Sequence, residues 1–443
     1  IYIIYYFIII FFFYFFIILF FIFKMKDKDI KDIIYLDYNA TTFIHKDVRK
    51  AMEPYLNEYF GNHSSSHQYG IQTKKGIAHA REQISKMLNC SSNEVIITSG
   101  ASEANNYAIK GLINYYFHSQ KSPEKISVIT SAIEHPSIKD VFPYLKSIYG
   151  DKLEIIIIPC LSNGIIDFEK FKSSMQKNTY LISIMLANNE TGCVQPLKEI
   201  VEYAKKINPN CIVHTDASQA VGKIPFRTDE LGVDLMTIAG HKIYAPKGIG
   251  ALYIKTGVEK KMEKLIHGAP HEHNLRAGTE NVLEIVGLGK ACELVINELM
   301  ERLRQNLTTR NIIYKILSTE IPQSILHGLS IDASIDISKL NDHEIIELIE
   351  KEKRLTNTLY ISFPGVEANL ILDKLSDKLA CSAGAACHSE GVQMSHVLQA
   401  MGVKPEIAMG TLRISTGIET TEQQAEESAK QIAKVFKELI VNK

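Results

Sequence analysis

The chain has 443 residues with 49 Lys and Arg against 50 Asp and Glu, so it is long enough for two domains and close to neutral. That balance argues against a nucleic-acid partner or an anionic membrane surface. Seven Cys, an odd number at scattered positions, exclude a disulfide framework and read as free thiols in a reducing, cytoplasmic-type compartment. With no C-x-x-C pair, nothing points to a structural zinc ribbon.

Residues 1–24 form a hydrophobic leader, aromatic and aliphatic as far as Phe23 and long enough to span a bilayer. It lacks the basic start and small-residue cleavage site of a secretory signal. Lys24, Lys26 and Lys28 follow it. One reading is a transmembrane anchor with the catalytic part on the Lys side. The other is a chain that begins at Met25, its leader a translation artefact of AT-rich upstream sequence.

IIYLDYNATTF reads as a short strand entering a polar turn that contains Asn39. HKDVRKAMEPYLNEYFGN reads as one amphipathic helix closed by Gly61 and Asn62, and IQTKKGIAHAREQISKMLNC as a second. In EVIITSGASEANN a strand from Val95 to Thr98 breaks at Ser99–Gly100 and passes into a helix near Ala101. Such a junction aims free N–H groups and a helix N-terminus at one point, which suits a phosphate, with Ser102 adding a hydroxyl. An ordinary capped helix explains the same residues.

The plan then repeats. KISVITSAIEHPSIKD places His135 at a strand end, where an imidazole could stack on a cofactor ring or pack on its own loop. YLISIMLANNETG ends in Asn188–Asn189, turn formers of which Asn189 could reach a ligand. IVHTDASQA ends a strand in Asp216. DLMTIAGHKIYAPKGIG ends another in His241–Lys242 and a Pro/Gly-rich turn. These strand–loop–helix units imply a mainly parallel sheet with right-handed crossovers. An acid and a Lys from neighbouring strand ends converge where open α/β sheets bind ligands. Schiff-base Lys plus a carboxylate for a pyridinium nitrogen is the pair a pyridoxal phosphate enzyme needs.

HGAPHEHNLRAGTEN carries His267, His271 and His273 in a Gly/Pro-rich loop, so a metal-hydrolase reading is weighed and set aside; no metal site is expected. A long helix follows from VLEIV. From about residue 300 strands such as TLYISFPG alternate with amphipathic helices, a smaller α+β domain. Its loop CSAGAACHSEG surrounds Cys387 with small residues that give a thiol access, a plausible nucleophile, whereas Cys381 fits a core role better. Arg413, in TLRISTG, is placed as a bidentate clamp for an α-carboxylate or as a surface ion pair. The division is thus 33–299 for a large cofactor-binding domain, its first residues packing on the small one, and 300–443 for the small domain.

From about 33 to 437 the chain resembles class-V aminotransferase-fold cysteine desulfurases and selenocysteine lyases. The blocks are YLDYNATT, TSGASEANN, EHPSI, MLANNETG, HTDASQ, AGHKIYAPKGIGALYI, LRAGTEN, SAGAACHS and LRIS. The resemblance implies the fold type I of pyridoxal 5'-phosphate (PLP) enzymes, α/β, and a homodimer with shared active sites. It implies Lys242 as the Schiff-base Lys and general base, and Asp216 on the pyridine nitrogen. Gln219 and Asn189 fall near the phenolic oxygen, and His135 stacks on the ring. Ala101, Ser102 and His241 match phosphate contacts, with Thr279 reaching the phosphate from the partner subunit. Arg413 matches the substrate-carboxylate clamp with Asn39 nearby, and Cys387 the Cys that meets the chalcogen. MLANNETG, GAACHS and RAGTEN look more like selenocysteine lyase than the SGSACTS-type desulfurases, and Ala239 stands where the latter carry Ser. His63 departs from both branches, which usually have Pro there. The implied activity is conversion of L-selenocysteine to L-alanine and selenide. The alternative is a cysteine desulfurase passing sulfur from a Cys387 persulfide to an acceptor protein. A catalytically inactive membrane-tethered scaffold is the third reading.

Overall fold

The computed structural model describes residues 30–388 and 391–441. The leader, and with it the anchor reading, lies outside the described residues; among those described, no helix is long and apolar enough to cross a membrane.

The strands are β1 (Ile34–Tyr35), β2 (Val95–Thr98), β3 (Ile126–Ser131), β4 (Leu153–Ile158), β5 (Thr179–Ser183), β6 (Ile212–Asp216), β7 (Leu235–Ala239) and β8 (Gly250–Ile254), followed by β9 (Ile325–Leu326), β10 (Thr358–Ser362), β11 (Leu379–Ala380), β12 (Ser382–Ala383), β13 (Ala385–His388), β14 (Gly391–Met394) and β15 (Thr411–Ser415). Among the described residues, one seven-stranded sheet has the order β2-β8-β7-β6-β5-β3-β4. Pairs β7–β6, β6–β5, β5–β3 and β3–β4 are parallel; β8 alone runs against its neighbours β2 and β7. Strands β2, β3, β6, β7 and β8 are buried along their whole length, as expected for a sheet covered on both faces. Successive residues face opposite layers: Ile212 joins the core under the helices Ala101–His118 and Val141–Tyr149, and Val213 the core under Gln68–Leu88 and Val282–Glu320.

The predicted first helix is two pieces, Lys46–Met52 and Pro54–Asn57. Pro54 has no N–H to continue the ladder and is tolerated only in a first turn. The second helix, Gln68–Leu88, ends at Asn89 in the left-handed conformation, φ 54°.

A second core lies around the antiparallel sheet β12-β15-β10-β9, with Leu359, Ile361, Leu412 and Ile414 packed on the helix Glu422–Val441. β1 pairs in parallel with β11, so the start of the described chain is tied to this unit. The helix Val282–Glu320 runs unbroken through residue 299: its Leu303 and Leu307 belong to the first core, its Ile313 and Leu317 to the second. Ile337, Ile345, Leu348 and Leu355 return to the first core, so the packing does not change over at the 299/300 division. The predicted Cys387 loop is, in its backbone, an antiparallel ribbon of β13 and β14, Cys387 opposite Val392.

Candidate active site

The carboxyl ends of β3, β5, β6 and β7 open on a cavity of about 610 Å³, within the usual range for cofactor sites. Asn39, Ala101, Ser102, His135, Asn189, Asp216, Gln219, His241, Lys242 and Arg413 all line it, although they are spread over most of the chain. Thr279 is exposed and outside this lining. Cys387 has its backbone in the β13–β14 ribbon. Met394, at the end of that ribbon, lines an adjoining cavity of about 670 Å³ that shares Arg413 with the first.

Lys242 closes the short turn Gly240–Lys242 immediately after β7. Its Nζ donates to the carbonyls of Asn39 (2.6 Å) and Ala40 (2.7 Å). Among the described residues no carboxylate forms an ion pair with it. Burial first, and the Arg413 charge second, lower its pKa from 10.5 to about 8. Asp216, the last residue of β6, is buried; its Oδ2 accepts from Asn105 Nδ2 (2.8 Å) and its Oδ1 from Ser218 N–H (2.9 Å). Asn105 also donates to Ser137 Oγ (2.9 Å), which lies 2.8 Å from His135 Nδ1. Since the Ser137 N–H donates to that same Nδ1 (3.2 Å), a neutral His135 carries its proton on Nε2. The surrounding protein lowers the His135 pKa, and burial lowers that of His241 to about 4, so both rings stay neutral at pH 7.

The helix Ala101–His118 starts at Gly100, φ 146°, with no side chain capping its first turn. Its leading N–H groups therefore point into the cavity unsatisfied, an anion site by construction. Gly250 lets this loop approach the sheet: a Cβ there would lie 2.8 Å from Gly100 Cα. Glu103, in the same turn and also in the cavity lining, accepts from Ser99 N–H and the Arg276 guanidinium. Arg413, on β15, is held by Asp37 Oδ1 (2.8 Å), Ser382 Oγ (3.1 Å) and Asn189 O (3.4 Å), with its buried Nε unpartnered. It is thus an ion pair and a cavity-lining guanidinium at once. Asn188 proves structural: its Oδ1 accepts from the N–H groups of Glu190 and Thr191, while Asn189 faces the cavity.

These donors fit PLP. A nucleophilic amine, an acid across the cavity, an uncapped helix start and the orphaned Ser218 hydroxyl complement its aldehyde, ring nitrogen and phosphate. Sequence reasoning missed Asn105 and Ser218. A buried Asn on the otherwise apolar face formed by Ala104, Ala108 and Leu112 was the available signal for the first.

The loop His residues do not converge with one another. Among the described residues the one group with metal-ligand spacing is His63, His271 and Glu280, with ligand atoms within 4.8 Å. His63 Nδ1 lies 2.8 Å and His271 Nε2 3.9 Å from Glu280 Oε2. Gly278 N–H donates to His271 Nδ1 (3.2 Å), which leaves the ring proton on Nε2 facing the carboxylate. A metal-bound imidazole needs the opposite arrangement. The cluster reads as a carboxylate paired with His63, the His271 ring standing beyond hydrogen-bond reach at 3.9 Å.

Comparison with known proteins gives the family. The aminotransferase class-V family matches residues 34–427. Cysteine desulfurase IscS of Dictyoglomus turgidum is 40% identical over 395 residues, covering 89% of this chain and 92% of the relative. A cysteine desulfurase of Nostoc sp. is 38% identical, covering 88% and 90%. Among solved structures, a NifS-like protein superposes with a TM-score of 0.79 at 32% identity, covering 91% of this chain and 99% of its own. SspA in complex with cysteine gives 0.69 at 30% identity, covering 86% and 98%. With the fold, the Lys242–Asp216 pair and these relatives in agreement, the chain belongs to the aminotransferase class-V family, among its cysteine desulfurases and selenocysteine lyases, and is a PLP-dependent enzyme.

Proposed function

We propose that the protein is a cysteine desulfurase that moves sulfur from L-cysteine to Cys387 and releases L-alanine. This corrects the selenocysteine preference. That preference rested on block resemblance, whereas relatives at 36–40% identity over about nine-tenths of the chain carry the cysteine name. The two substrates differ by one atom at the end of the same skeleton, so the cavity lining gives no geometric reason to favour selenium.

The observation that carries the reading is the convergence of Lys242, Asp216 and Arg413 on one cavity. PLP, when bound, supplies the electron sink that makes the substrate Cα proton removable. Lys242 would hold the cofactor through its amine and would serve as the base for that proton; an amine with pKa about 8 is suited to do so near neutrality. Asp216, fixed by Asn105 and Ser218, would hold the ring nitrogen, and neutral His135 would cover the ring. The first turn of Ala101–His118, with Ser102 and His241, binds the phosphate, joined by Thr279 of a second copy in a homodimer. Arg413 orients the substrate carboxylate, with Asp37 as its resting partner. The Cys387 thiol then attacks the substrate sulfur. The Cβ–S bond breaks, an S–S bond forms, Cβ is reduced to the methyl of alanine, and no outside oxidant is needed.

The test compares alanine release from L-cysteine and L-selenocysteine in wild type and Cys387→Ser, with mass spectrometry of the Cys387 peptide. Turnover of cysteine with a persulfide on Cys387, lost in the Ser variant, is expected. Alanine from selenocysteine alone, without persulfide, would return the reading to the lyase. A protein that never takes up PLP would leave the scaffold.

A further inference from the structure

Lys223 is a Lys in the wrong place. It is 6% exposed and has no carboxylate partner among the described residues. Its Nζ donates to two amide oxygens instead, Gln219 Oε1 (2.6 Å) and Asn39 Oδ1 (2.8 Å). Long charged side chains are rarely this buried unless paired, and nothing in the chemistry above uses this one.

Its consequence falls on Gln219. A carboxamide has one face that donates and one that accepts, and the two are nearly the same shape. A Lys ammonium has three N–H groups to give and nothing to accept with, so it selects the oxygen face of the amide it meets. Asn39 does not depend on it, because Asn357 Nδ2 also donates to Asn39 Oδ1 (3.1 Å), and Asn39 Nδ2 donates to Thr358 Oγ1 (2.8 Å). Gln219 has less support: among the described residues Lys223 is the sole donor to its Oε1, and the contact on its nitrogen side is to the Asn39 carbonyl, which already receives Lys242. With the oxygen so held, Gln219 Nε2 points to the Asn39 carbonyl (2.9 Å) and the cavity.

We propose that Lys223 is a positioning residue that locks the Gln219 amide with its N–H side toward the cofactor's phenolic oxygen. It does not touch the cofactor; together with the Asn39 carbonyl on the nitrogen side, it holds the amide so that the cofactor meets a donor. The inference rests on the proposed function and on Gln219, which lines the cavity, lying near the phenolic oxygen as the family resemblance implies. A donor stabilises the anionic form of that oxygen, so the bound chromophore gives up its proton at lower pH.

The experiment titrates the visible absorbance of the PLP-loaded enzyme against pH in wild type, Lys223→Met, Gln219→Leu and the double variant. Lys223→Met is expected to raise the midpoint by about one pH unit, the size of one hydrogen bond to a charged group. Lys223→Gln, which can still donate to Gln219 Oε1, restores most of it. In the Gln219→Leu background Lys223→Met adds no shift. Gln219→Glu tests the same orientation with Lys223 intact: one oxygen stays on Lys223, the other faces the cofactor, and the midpoint rises further than in Gln219→Leu. An unchanged midpoint in Lys223→Met, an equal shift in the Gln219→Leu background, or equal shifts for Glu and Leu at 219 would each overturn the proposal. A wild type with no visible band after PLP addition would overturn the cofactor placement on which it rests, a different result from any of these.

Discussion

The Lys242 amine must be neutral to attack an aldehyde, and the structure sets how often it is. With its pKa lowered to about 8, roughly one amine in ten is neutral at pH 7, against about one in three thousand for an ordinary Lys, a gain of about 300-fold. Two backbone carbonyls accept from Nζ, which favours the ammonium; burial outweighs them. The assay is stopped-flow absorbance of PLP added to the cofactor-free protein across pH, each rate divided by that of N-acetyl-lysine so that titration of PLP itself cancels. The ratio should be large near neutrality and fall above about pH 8 as the free amine catches up. In Arg413→Gln the second cause of the depression is gone, so the midpoint moves up, though by less than burial contributes. A wild-type rate that tracks the model amine over the whole range, with no break near pH 8, would refute the reasoning.

The same depression makes Lys242 a burden on the cofactor-free fold. Between the folded pKa of about 8 and the unfolded value of 10.5 the unfolded chain binds more protons, so wild-type stability rises with pH by up to about 3 kcal/mol. Lys242→Met should be the more stable protein at pH 7 and should lack that rise in urea titrations at the two ends of the window. Asp216→Asn should still take up PLP but release alanine about a hundredfold more slowly, because the ring nitrogen loses its fixed anion; turnover within tenfold of wild type would count against its placement. Glu272→Gln should cost about 3–5 kcal/mol in denaturant melts, since Arg81 and the Ile97 N–H lose a buried carboxylate that accepts from both.

What was legible in the sequence is what local chemistry decides. Strand ends marked by Asp216, His135 and the Gly240–Lys242 turn could be read because an apolar run followed by a polar break has few other meanings. The uncapped start at Gly100 was legible because two small residues interrupt a strand–helix passage. What escaped depends on partners far away in the chain. Lys223 meets Asn39 across 184 positions, and Asn105 meets Asp216 across 111. No window of sequence contains both members of either pair. The partners of the His-rich loop were hidden for the same reason: its three His are close in the chain, yet His271 faces His63 and Glu280. Pro54 was a local signal overridden by the amphipathic pattern around it. The substrate preference escaped for another reason, because sulfur and selenium ask the same geometry of the protein and differ mainly in acidity.

Asn39 shows why the site sits where the two cores meet. Its carbonyl receives Lys242 and Gln219, its Oδ1 receives Lys223 and Asn357, its Nδ2 gives to Thr358 and to the Asn189 carbonyl, and its N–H gives to Ser415 Oγ. Thr358 and Ser415 belong to the antiparallel sheet; Lys242, Gln219 and Asn189 lie in the segments that follow β7, β6 and β5 of the seven-stranded one. One amide and its own peptide groups therefore index the sheet that carries Arg413 against the sheet that carries Lys242. Each of these groups is buried enough that losing its partner costs about 1–3 kcal/mol. The clamp and the amine therefore cannot drift independently. A reaction that needs a substrate carboxylate and a Cα proton held at a fixed separation requires that coupling, and here it is supplied by a residue that need make no contact with the substrate at all.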